Sequence, residues 1–461
     1  MGDMKPLVVL DIVGLTPALL GEDTPHLNRL IDDGFLAHVD GAFPAVTCTA
    51  QANMLTGSKP RDHGIVGNGW YFRDQAEIWF WRQANQLVQG EKVWDTIRRD
   101  DPDFTCAKLF WWYNMYANVE YSVTPRPMYP ADGRKYAALY AQPDELQRRL
   151  VADLGAFPFF DFWGPKAGIA SSEWIAKSAL RVFDWHRPRL SLVYLPHLDY
   201  NLQRLGPDDP AIRKDIRDID RVAGELIEHV RAQDADVIVL SEYGIEQTTG
   251  HVDINRILRD QGLLAVRETR VGELLDAGAS RAFAVADHQV AHVYVRDAHD
   301  LATVKNLLSG TPGIAEVLDD EGKRNIGLDH ARAGELVAVS EPGHWFSYYY
   351  WLDDAMAPDF ARTVDIHRKP GYDPVELFVD PDLTLPALKI AWRLLQKNLG
   401  LRMLMDVIPL KPELVRGTHG RQPATPHHGP LLIGTRKDLA IERLDATDVK
   451  SMLIDHYRRR A

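Results

Sequence analysis

The sequence predicts an α/β protein whose central, mostly parallel sheet is sandwiched between helices. Three apolar runs of strand length support this fold: Leu7–Val13, Leu190–Leu195 and Asp236–Leu240. Helical patterns alternate with them, as in a parallel sheet that is covered on both faces. These patterns occupy the stretches 25–34, 143–154, 172–184 and 209–233. Such folds bind ligands where the strands end, so the residues that follow each run are candidates for a site.

Composition and charge limit the kinds of function that the chain could have. The chain has 461 residues, 45% of them apolar and 26% charged, which is typical of a soluble globular protein. A net charge of −12 argues against a nucleic-acid polymer as partner, although bound cations can still adapt a local site to an anionic substrate. Two cysteines, Cys48 and Cys106, are too few for a disulfide framework and predict a cytoplasmic location. The sequence predicts no oligomeric state.

The first run carries an acidic residue, Asp11, at its end. This would place an oxygen ligand for a metal ion at the carboxyl edge of the sheet. The segment 43–57 then places a hydroxyl, Thr47, at the start of a helix, where free backbone N–H groups attract anions. Together they suit nucleophilic attack on phosphorus, while the alternative for Thr47 is an ordinary helix N-cap. We expect Cys48, beside it, to be a buried filler.

Polar side chains recur in four further segments that follow predicted strands or lie in glycine-flanked turns. They are His197, Asp199 and Gln203 in segment 195–207, Glu242 and Tyr243 in segment 241–244, His419 in segment 417–420, and His63 and Asn68 in segment 62–68. One such residue alone is commonly only a turn or a cap. Their recurrence favours one shared site.

At these residues the chain resembles the alkaline phosphatase superfamily, and within it the nucleotide pyrophosphatase/phosphodiesterase branch, which includes phosphonoacetate hydrolase. The resemblance covers most of the chain in order: Asp11 after the first strand, the helix in Thr24–Gly34, the segment Phe43–Gly57, and the turn that ends at Asn68. It implies that Thr47 is the nucleophile and that Asn68 binds the phosphoryl group.

The resemblance also implies two divalent metal ions. One would take Asp199, His419 and the residue at position 203, and the other would take Asp11, Thr47 and the pair 242–243. The chain departs from the family pattern at this pair and at position 203, because Gln203 and Tyr243 stand where the family has histidines, whereas Glu242 keeps a carboxylate. An oxygen-rich ligand set suits Mn²⁺, Mg²⁺ or Ca²⁺ better than Zn²⁺.

Other histidines could rebuild the missing ligands, or one metal site could be lost altogether. We favour His197, which lies two residues before Asp199, because both side chains would face one side of an extended strand. His288 and His367 are further candidates. The alternative for each is a structural histidine.

After residue 265 the pattern changes. A strand at Ala291–Val295, a helix at Ala302–Ser309 and a strand at Gly334–Ser340 predict a small α+β insertion. We therefore divide the chain into a catalytic core in 1–265, an insertion or lid in 266–409, and a C-terminal part of the core in 410–461.

Two segments of this insertion carry large apolar side chains. We expect the aromatic segment Gly343–Trp351 to pack in the core, with a lid or substrate wall as the alternative. Leu383–Met405 has helical apolar spacing interrupted by basic residues, so it predicts an amphipathic helix or helix pair. We expect it to pack on the core; the alternative is a membrane-surface role. No run approaches the length of a membrane span.

The sequence therefore predicts a metal-dependent hydrolase that cleaves phosphodiester or pyrophosphate bonds through the threonine nucleophile, with a small phosphorylated substrate as its partner. One alternative is a phosphomonoester or phosphonate hydrolase that uses the same site. The other is a non-catalytic binding protein with a degenerate metal site.

Overall fold

The structure, a computed structural model, describes residues 5–131 and 135–458. Its strands are β1 Leu7–Ile12, β2 Phe35–Asp40, β3 Gly69–Phe72, β4 Glu77–Phe80, β5 Cys106–Leu109, β6 Tyr121–Pro125, β7 Leu139–Gln142, β8 Leu190–Leu195, β9 Asp236–Leu240, β10 Glu246–Gln247, β11 Gly250–Val252, β12 Val266–Thr269, β13 Gly272–Leu275, β14 Ala282–Asp287, β15 Val290–Val295, β16 Ile314–Leu318, β17 Leu336–Ser340, β18 His344–Phe346, β19 Gly417–Thr418, β20 Leu431–Gly434 and β21 Arg443–Asp445. Its helices are α1 Pro25–Asp33, α2 Thr47–Thr56, α3 Pro60–His63, α4 Val93–Asp100, α5 Asp144–Leu154, α6 Ile169–His186, α7 His197–Leu205, α8 Ile212–Ala232, α9 Ile254–Asp260, α10 Leu301–Ser309, α11 Asp320–Ile326, α12 Pro386–Asn398 and α13 Asp448–Arg458.

A nine-stranded sheet forms the centre of the molecule, in the order β21-β2-β20-β9-β1-β8-β5-β6-β7. Five strand pairs are parallel. The three antiparallel pairs are β2 with β20, β20 with β9, and β6 with β7. The predicted α/β fold with a largely parallel sheet is confirmed.

The central strand β1 is buried on both faces, as its continuous apolar sequence requires. Successive side chains of a strand point to opposite faces. Val8 and Leu10 accordingly join the core beneath α6 and α8, whereas Leu7 and Val9 join the core beneath α4 and α13. This double covering fixes β1 at the middle of the sheet and leaves Asp11 at its carboxyl end.

A second, four-stranded antiparallel sheet has the order β14-β15-β17-β16. It contains the predicted strands near 291–295 and 334–340, and α10 is the predicted helix near 302–309. The chain then returns to the large sheet through β20 and β21. The boundaries at 265 and 409 stay a prediction.

The two apolar segments of this region differ in their environment. Tyr348, Tyr349, Tyr350 and Trp351 are buried in one core with the second sheet, so the expected core packing of the aromatic segment is confirmed. In contrast, no residue of α12 is buried. Ile390 of this helix packs against a small core cluster that contains Trp345 and Ile408, so the expected packing on the core is confirmed for one face, whereas the leucines of the helix are exposed. Within the described residues, no helix has the length and apolar character needed to cross a bilayer.

Candidate functional site

Two buried carboxylates meet at the ends of β1 and β9. Asp11 pairs in register with Leu240, the last residue of β9, so Glu242 follows two residues beyond that level. The Gln51 side-chain amide joins them, donating to Asp11 Oδ2 at 3.2 Å and to Glu242 Oε1 at 2.6 Å. Burial, and next the nearby Glu242 charge, raise the pKa of Asp11 well above its ordinary value. Burial also raises the pKa of Glu242.

Thr47 is the first residue of α2, and Val46 holds the N-cap position without a side-chain cap bond. The alternative that Thr47 is an N-cap is therefore wrong, since its hydroxyl points to other partners. Thr47 Oγ1 lies 3.1 Å from the Tyr243 hydroxyl, which in turn lies 3.4 Å from Asp199 Oδ1. The Thr47 hydroxyl also lowers the pKa of Glu242, against the effect of burial. The hydroxyl thus sits among polar groups at the start of a buried helix.

Asp199 lies in the first turn of α7 and accepts hydrogen bonds on both oxygens. The Gln203 amide donates to its Oδ2 at 2.7 Å, and the Tyr243 hydroxyl approaches its Oδ1. The carbonyl oxygen of Gln203 accepts a hydrogen bond of 2.9 Å from the Tyr372 hydroxyl. Burial, followed by the charge of Glu242, raises the pKa of Asp199 to about 7.

The rings of His419 and His288 lie between those of Tyr243 and Tyr372. The His419 ring lies 3.6 Å from the Tyr243 ring and 3.7 Å from the His288 ring, measured between centroids. His288 also stacks on Tyr372, at 3.6 Å. His419 Nε2 is 3.9 Å from Asp199 Oδ1. Burial lowers the pKa of both histidines well below the ordinary value, so both rings are neutral.

Asn68 is close to Thr47 but its hydrogen-bonding groups are occupied. Its side-chain oxygen accepts the Cys48 backbone N–H at 3.0 Å, and its amide nitrogen donates to Asp287 Oδ1 at 3.1 Å. The Asn68 backbone N–H donates to the other Asp287 oxygen at 2.7 Å. Asp287 therefore occupies the position that the resemblance assigns to a phosphoryl oxygen. Cys48 is fully buried, as expected.

His197 does not lie on an extended strand. It begins α7, so His197 and Asp199 are two residues apart on a helix and diverge by about 200°. His197 Nε2 instead lies 3.2 Å from Asp215 Oδ1, on α8. The expectation that both side chains face one side is wrong because the strand ends at Leu195. His367 lies near the Phe80 backbone, and burial lowers its pKa to about 4.

The donor set fits a cation at the Asp11–Glu242 pair. Asp11 Oδ1 and Glu242 Oε2 are buried and have no hydrogen-bond partner among the described residues. Leaving two carboxylate oxygens buried and unpaired is costly unless a cation or proton compensates for them. Oxygen donors of this kind suit a hard divalent ion.

A recess opens beside these groups. Glu242, Tyr243, Gln289 and Arg421 are among the residues that line it. Arg421 Nη1 is buried there without a partner among the described residues. A guanidinium at this position can attract an anionic substrate to the recess.

Several residues of the site were not predicted as part of it. Gln51 could have been found, because it lies four residues after Thr47 and so on the same face of α2. Asp287 and Tyr372 come from the second sheet and the loop that follows it, and Arg421 follows His419 by two residues. No local pattern marks these three.

Comparison with known proteins identifies the family of the chain. A family model described as type I phosphodiesterase/nucleotide pyrophosphatase matches residues 7–373. An uncharacterized pyrophosphatase/phosphodiesterase of Schizosaccharomyces pombe is 27% identical over 248 residues, which are 51% of this chain and 42% of that protein. The chain thus matches less than half the length of that relative.

Solved structures share the fold. A murine ectonucleotide pyrophosphatase/phosphodiesterase 5, inactive and in complex with AMP, has a TM-score of 0.60 and 16% identity, covering 99% of this chain and 95% of that one. Phosphonoacetate hydrolase from Sinorhizobium meliloti, in complex with phosphonoformate, has a TM-score of 0.61 and 15% identity, covering 98% and 96%.

Proposed function

Because the chain belongs to the type I phosphodiesterase/nucleotide pyrophosphatase family, we propose that it hydrolyses phosphodiester or pyrophosphate bonds with Thr47 as the nucleophile. The observation that carries this proposal is the placement of the Thr47 hydroxyl. It lies at the N-terminus of α2, 3.1 Å from the Tyr243 hydroxyl, and it lowers the pKa of Glu242, which has one carboxylate oxygen without a partner among the described residues.

The contacts of Thr47 suggest a route for its proton. Tyr243 donates toward Asp199, so its oxygen is free to accept the Thr47 proton. As the bond between Thr47 Oγ1 and phosphorus forms, the bond from phosphorus to the leaving oxygen breaks, and the threonine proton moves toward Asp199 through Tyr243. Water then displaces Thr47 from phosphorus and releases the product. Tyr243, which replaces a family histidine, thereby acquires a proton-transfer role.

The metal requirement also belongs to this proposal. Asp11, Glu242 and Thr47 would hold one divalent ion, and Asp199 and His419 would contribute to a second. A bound divalent ion would favour the alkoxide form of Thr47 and offset the negative charge that develops on the substrate. The Gln203 oxygen already accepts the Tyr372 hydroxyl, so we give Gln203 a supporting role at Asp199. We likewise do not count Tyr243 among the metal ligands, because its proposed role is to transfer a proton through its hydroxyl group.

Small phosphorylated compounds are the substrates that we propose for this site. The guanidinium of Arg421 lines one recess together with Glu242 and Tyr243. The murine structural relative holds AMP, and the hydrolase relative holds phosphonoformate. We place nucleotide diesters first, and keep phosphomonoesters and phosphonates as the second candidate because of the second relative. A cytoplasmic location stays a prediction, consistent with two free, buried cysteines.

The test uses the full chain with Zn²⁺ or Mn²⁺ and three substrates: bis-p-nitrophenyl phosphate, p-nitrophenyl phosphate and phosphonoacetate. Turnover of the diester, lost in Thr47→Ala and retained in part by Thr47→Ser, supports the proposal. Preferential turnover of the monoester or phosphonate supports the second candidate. Equal turnover by wild type and Thr47→Ala would contradict the threonine nucleophile, and no turnover of any substrate would favour a binding protein.

A further inference from the structure

Helix α12 is attached to the rest of the protein along one side. Ile390 packs against the small core cluster that contains Trp345 and Ile408. The partly buried residues of the helix share this side, since residues three and four positions apart are neighbours on a helix. They lie at positions 386, 389, 390, 393 and 396, and every other residue of α12 is exposed. The opposite side of the helix therefore faces solvent.

The side that faces solvent is apolar. We name as the outer stripe five residues of α12 and its caps: Leu385, Leu388, Trp392, Leu395 and Leu399. Their exposed fractions run from 47% to 66%. At about 3.6 residues per turn, the five lie within about 80° of one another and opposite Ile390. Single exposed leucines are ordinary on a protein surface, whereas a contiguous apolar stripe marks an interaction site.

The charge of the same segment is positive. Residues 383–405 contain four basic residues and no acidic one, in a chain of net charge −12. Asp406 pairs with Lys389 at 3.0 Å and with Arg393 at 2.9 Å, which holds these two side chains against the protein. Lys397 and Arg402 are exposed and form no ion pair within the described residues. Their charges are available to an anionic partner.

We propose that α12 is a docking helix that lies on an anionic membrane surface, with the outer stripe in the interface. This inference goes beyond the proposed function. Basic amphipathic helices bury leucine and tryptophan side chains at the boundary between headgroups and acyl chains, where the amphipathic indole ring is favoured. Anionic headgroups would pair with Lys397 and Arg402. A two-fold contact with a second copy would instead bring together the same surface of both copies, and residues 383–405 offer no acidic group to pair these charges.

Vesicle co-sedimentation of the full chain tests the charge requirement, with phosphatidylcholine alone and with a mixture that contains about 30% phosphatidylserine. The wild type should bind the mixed vesicles and not those of phosphatidylcholine alone. Raising the salt concentration from about 0.1 M to about 1 M should release it, because the screening length falls from about 10 Å to about 3 Å. Equal binding to both kinds of vesicle would contradict an anionic surface as the partner.

The outer stripe is tested by Leu388→Gln/Trp392→Gln. This variant should bind the mixed vesicles about 10-fold more weakly or less, because two apolar side chains no longer enter the interface. Glutamine favours a helix about as well as leucine, and both positions are exposed, so the melting temperature should not change. The control is Phe160→Gln, which changes an exposed phenylalanine elsewhere and should bind like the wild type.

The unpaired charges are tested by Lys397→Gln/Arg402→Gln. Each basic residue near an anionic surface contributes about 1 kcal/mol, so binding should weaken about 10- to 30-fold. The matched control is Lys177→Gln/Arg270→Gln, which also removes one lysine and one arginine that are exposed and form no ion pair within the described residues. Equal weakening in both double variants would contradict a specific role of α12.

Trp392 allows a direct measurement of insertion, because it is the one exposed tryptophan among the described residues. Mixed vesicles whose phosphatidylcholine is brominated on its acyl chains should quench the tryptophan fluorescence. Trp392→Phe should lose this quenching and still bind, since phenylalanine keeps an apolar contact. Quenching that is unchanged in Trp392→Phe would contradict insertion of the outer stripe.

The remaining outcomes separate the membrane from other partners. No binding of the wild type to the mixed vesicles, or unchanged binding of Leu388→Gln/Trp392→Gln, would overturn the proposal. Loss of binding in Phe160→Gln as well would overturn it, because that result indicates a general effect of exposed apolar groups. A dimer that Leu388→Gln/Trp392→Gln dissociates, in a protein that binds no vesicles, would identify a second copy as the occupant. Hydrolysis of bis-p-nitrophenyl phosphate without vesicles tests the proposed function separately, and these variants should not change it.

Discussion

The Thr47 hydroxyl is the residue-scale centre of the proposed chemistry, and its neighbours differ from the family pattern. Tyr243 contacts it where the family has a histidine, and Asp287 occupies the hydrogen-bonding groups of Asn68. A phosphoryl group that binds Asn68 must therefore displace or share the Asp287 contacts. Single substitutions at these positions test which contacts matter.

Thr47→Ala should reduce the rate of diester hydrolysis by about 10³-fold or more, because it removes the attacking oxygen. The free energy of unfolding should fall by less than about 1 kcal/mol, since Thr47 makes no cap bond. Steady-state kinetics and urea unfolding measure both effects. Thr47→Ser is the control, and should retain measurable turnover because the oxygen remains.

Asp287→Asn should lower the KM for bis-p-nitrophenyl phosphate about 3- to 10-fold, because a negative charge beside Asn68 is removed. The new amide oxygen can still accept the His288 proton, whereas the amide nitrogen then faces the Asn68 backbone N–H and loses that hydrogen bond. Asp74→Asn, at an exposed position, is the control for net charge. A raised KM in Asp287→Asn would contradict the view that this carboxylate competes with substrate.

At the scale of elements, the site is assembled where α2, α7 and the β14–β15 hairpin meet. The loop that carries Tyr372 forms the back of the histidine pair, and a buried ionic group holds this loop. Lys369 Nζ lies 2.7 Å from both Asp373 Oδ2 and Glu376 Oε1, with all three side chains buried. Trp163 also donates to Glu376, at 2.6 Å.

Lys369→Met should lower the free energy of unfolding by about 3–5 kcal/mol, because it leaves two buried carboxylates without their cation. The control is Lys397→Met, which removes an exposed lysine that forms no ion pair within the described residues and should change stability little. Guanidinium unfolding at neutral pH measures both. Equal stability of the two variants would show that the ion pairs of Lys369 do not stabilise this loop.

Strand β5 contains a buried lysine whose charge opposes folding. Lys108 donates to the Tyr113 carbonyl oxygen at 2.8 Å, and burial lowers its pKa to about 7. The unfolded chain keeps the lysine protonated up to about pH 10.4, so the destabilising contribution of Lys108 should decrease between about pH 7 and pH 10.4.

Lys108→Met should therefore raise the free energy of unfolding by about 1–4 kcal/mol at pH 6, and this gain should shrink as the pH approaches 10. The Tyr113 carbonyl oxygen keeps a second donor, Asn85, so no acceptor is left unpaired. Urea unfolding at several pH values measures the difference. A gain that is independent of pH would indicate packing rather than charge as its cause.

At the scale of the whole molecule, the carboxylates couple metal binding to stability. Burial and mutual repulsion raise the pKa of Asp11 in the absence of a cation. Asp11→Asn should therefore raise the melting temperature of the metal-free protein. Added Zn²⁺ or Mn²⁺ should stabilise the wild type by about 2.7 kcal/mol at 100 times Kd, but Asp11→Asn much less.

Differential scanning calorimetry, first with EDTA and then with each metal ion, measures the melting temperatures of the wild type and of Asp11→Asn under both conditions. Asp74→Asn serves here also as the control, since it should follow the wild type under both conditions. A wild-type melting temperature that does not change with any metal ion would argue for a protein without a metal centre.

Local sequence was sufficient to predict the large sheet and half of the site. The apolar runs at β1, β8 and β9 are buried on both faces, so their position in the sheet follows from their composition. Asp11, Thr47 and Glu242 could be named because each lies near the end of a strand or begins a helix that the pattern reveals. Their proximity then follows from the rule that parallel strands end at one edge.

Only the tertiary structure decided which other side chains lie at that edge of the large sheet. His288 and Asp287 come from a turn in the second sheet, and Tyr372 comes from a loop that a buried lysine holds, so no spacing rule relates them to Asp199. The exclusion of His197 depended on where β8 ends and α7 begins, since one helical turn redirects a side chain that an extended strand would have aimed at the site. Periodicity reports burial along one element, whereas the choice of donors at a site depends on contacts between elements that are distant in sequence.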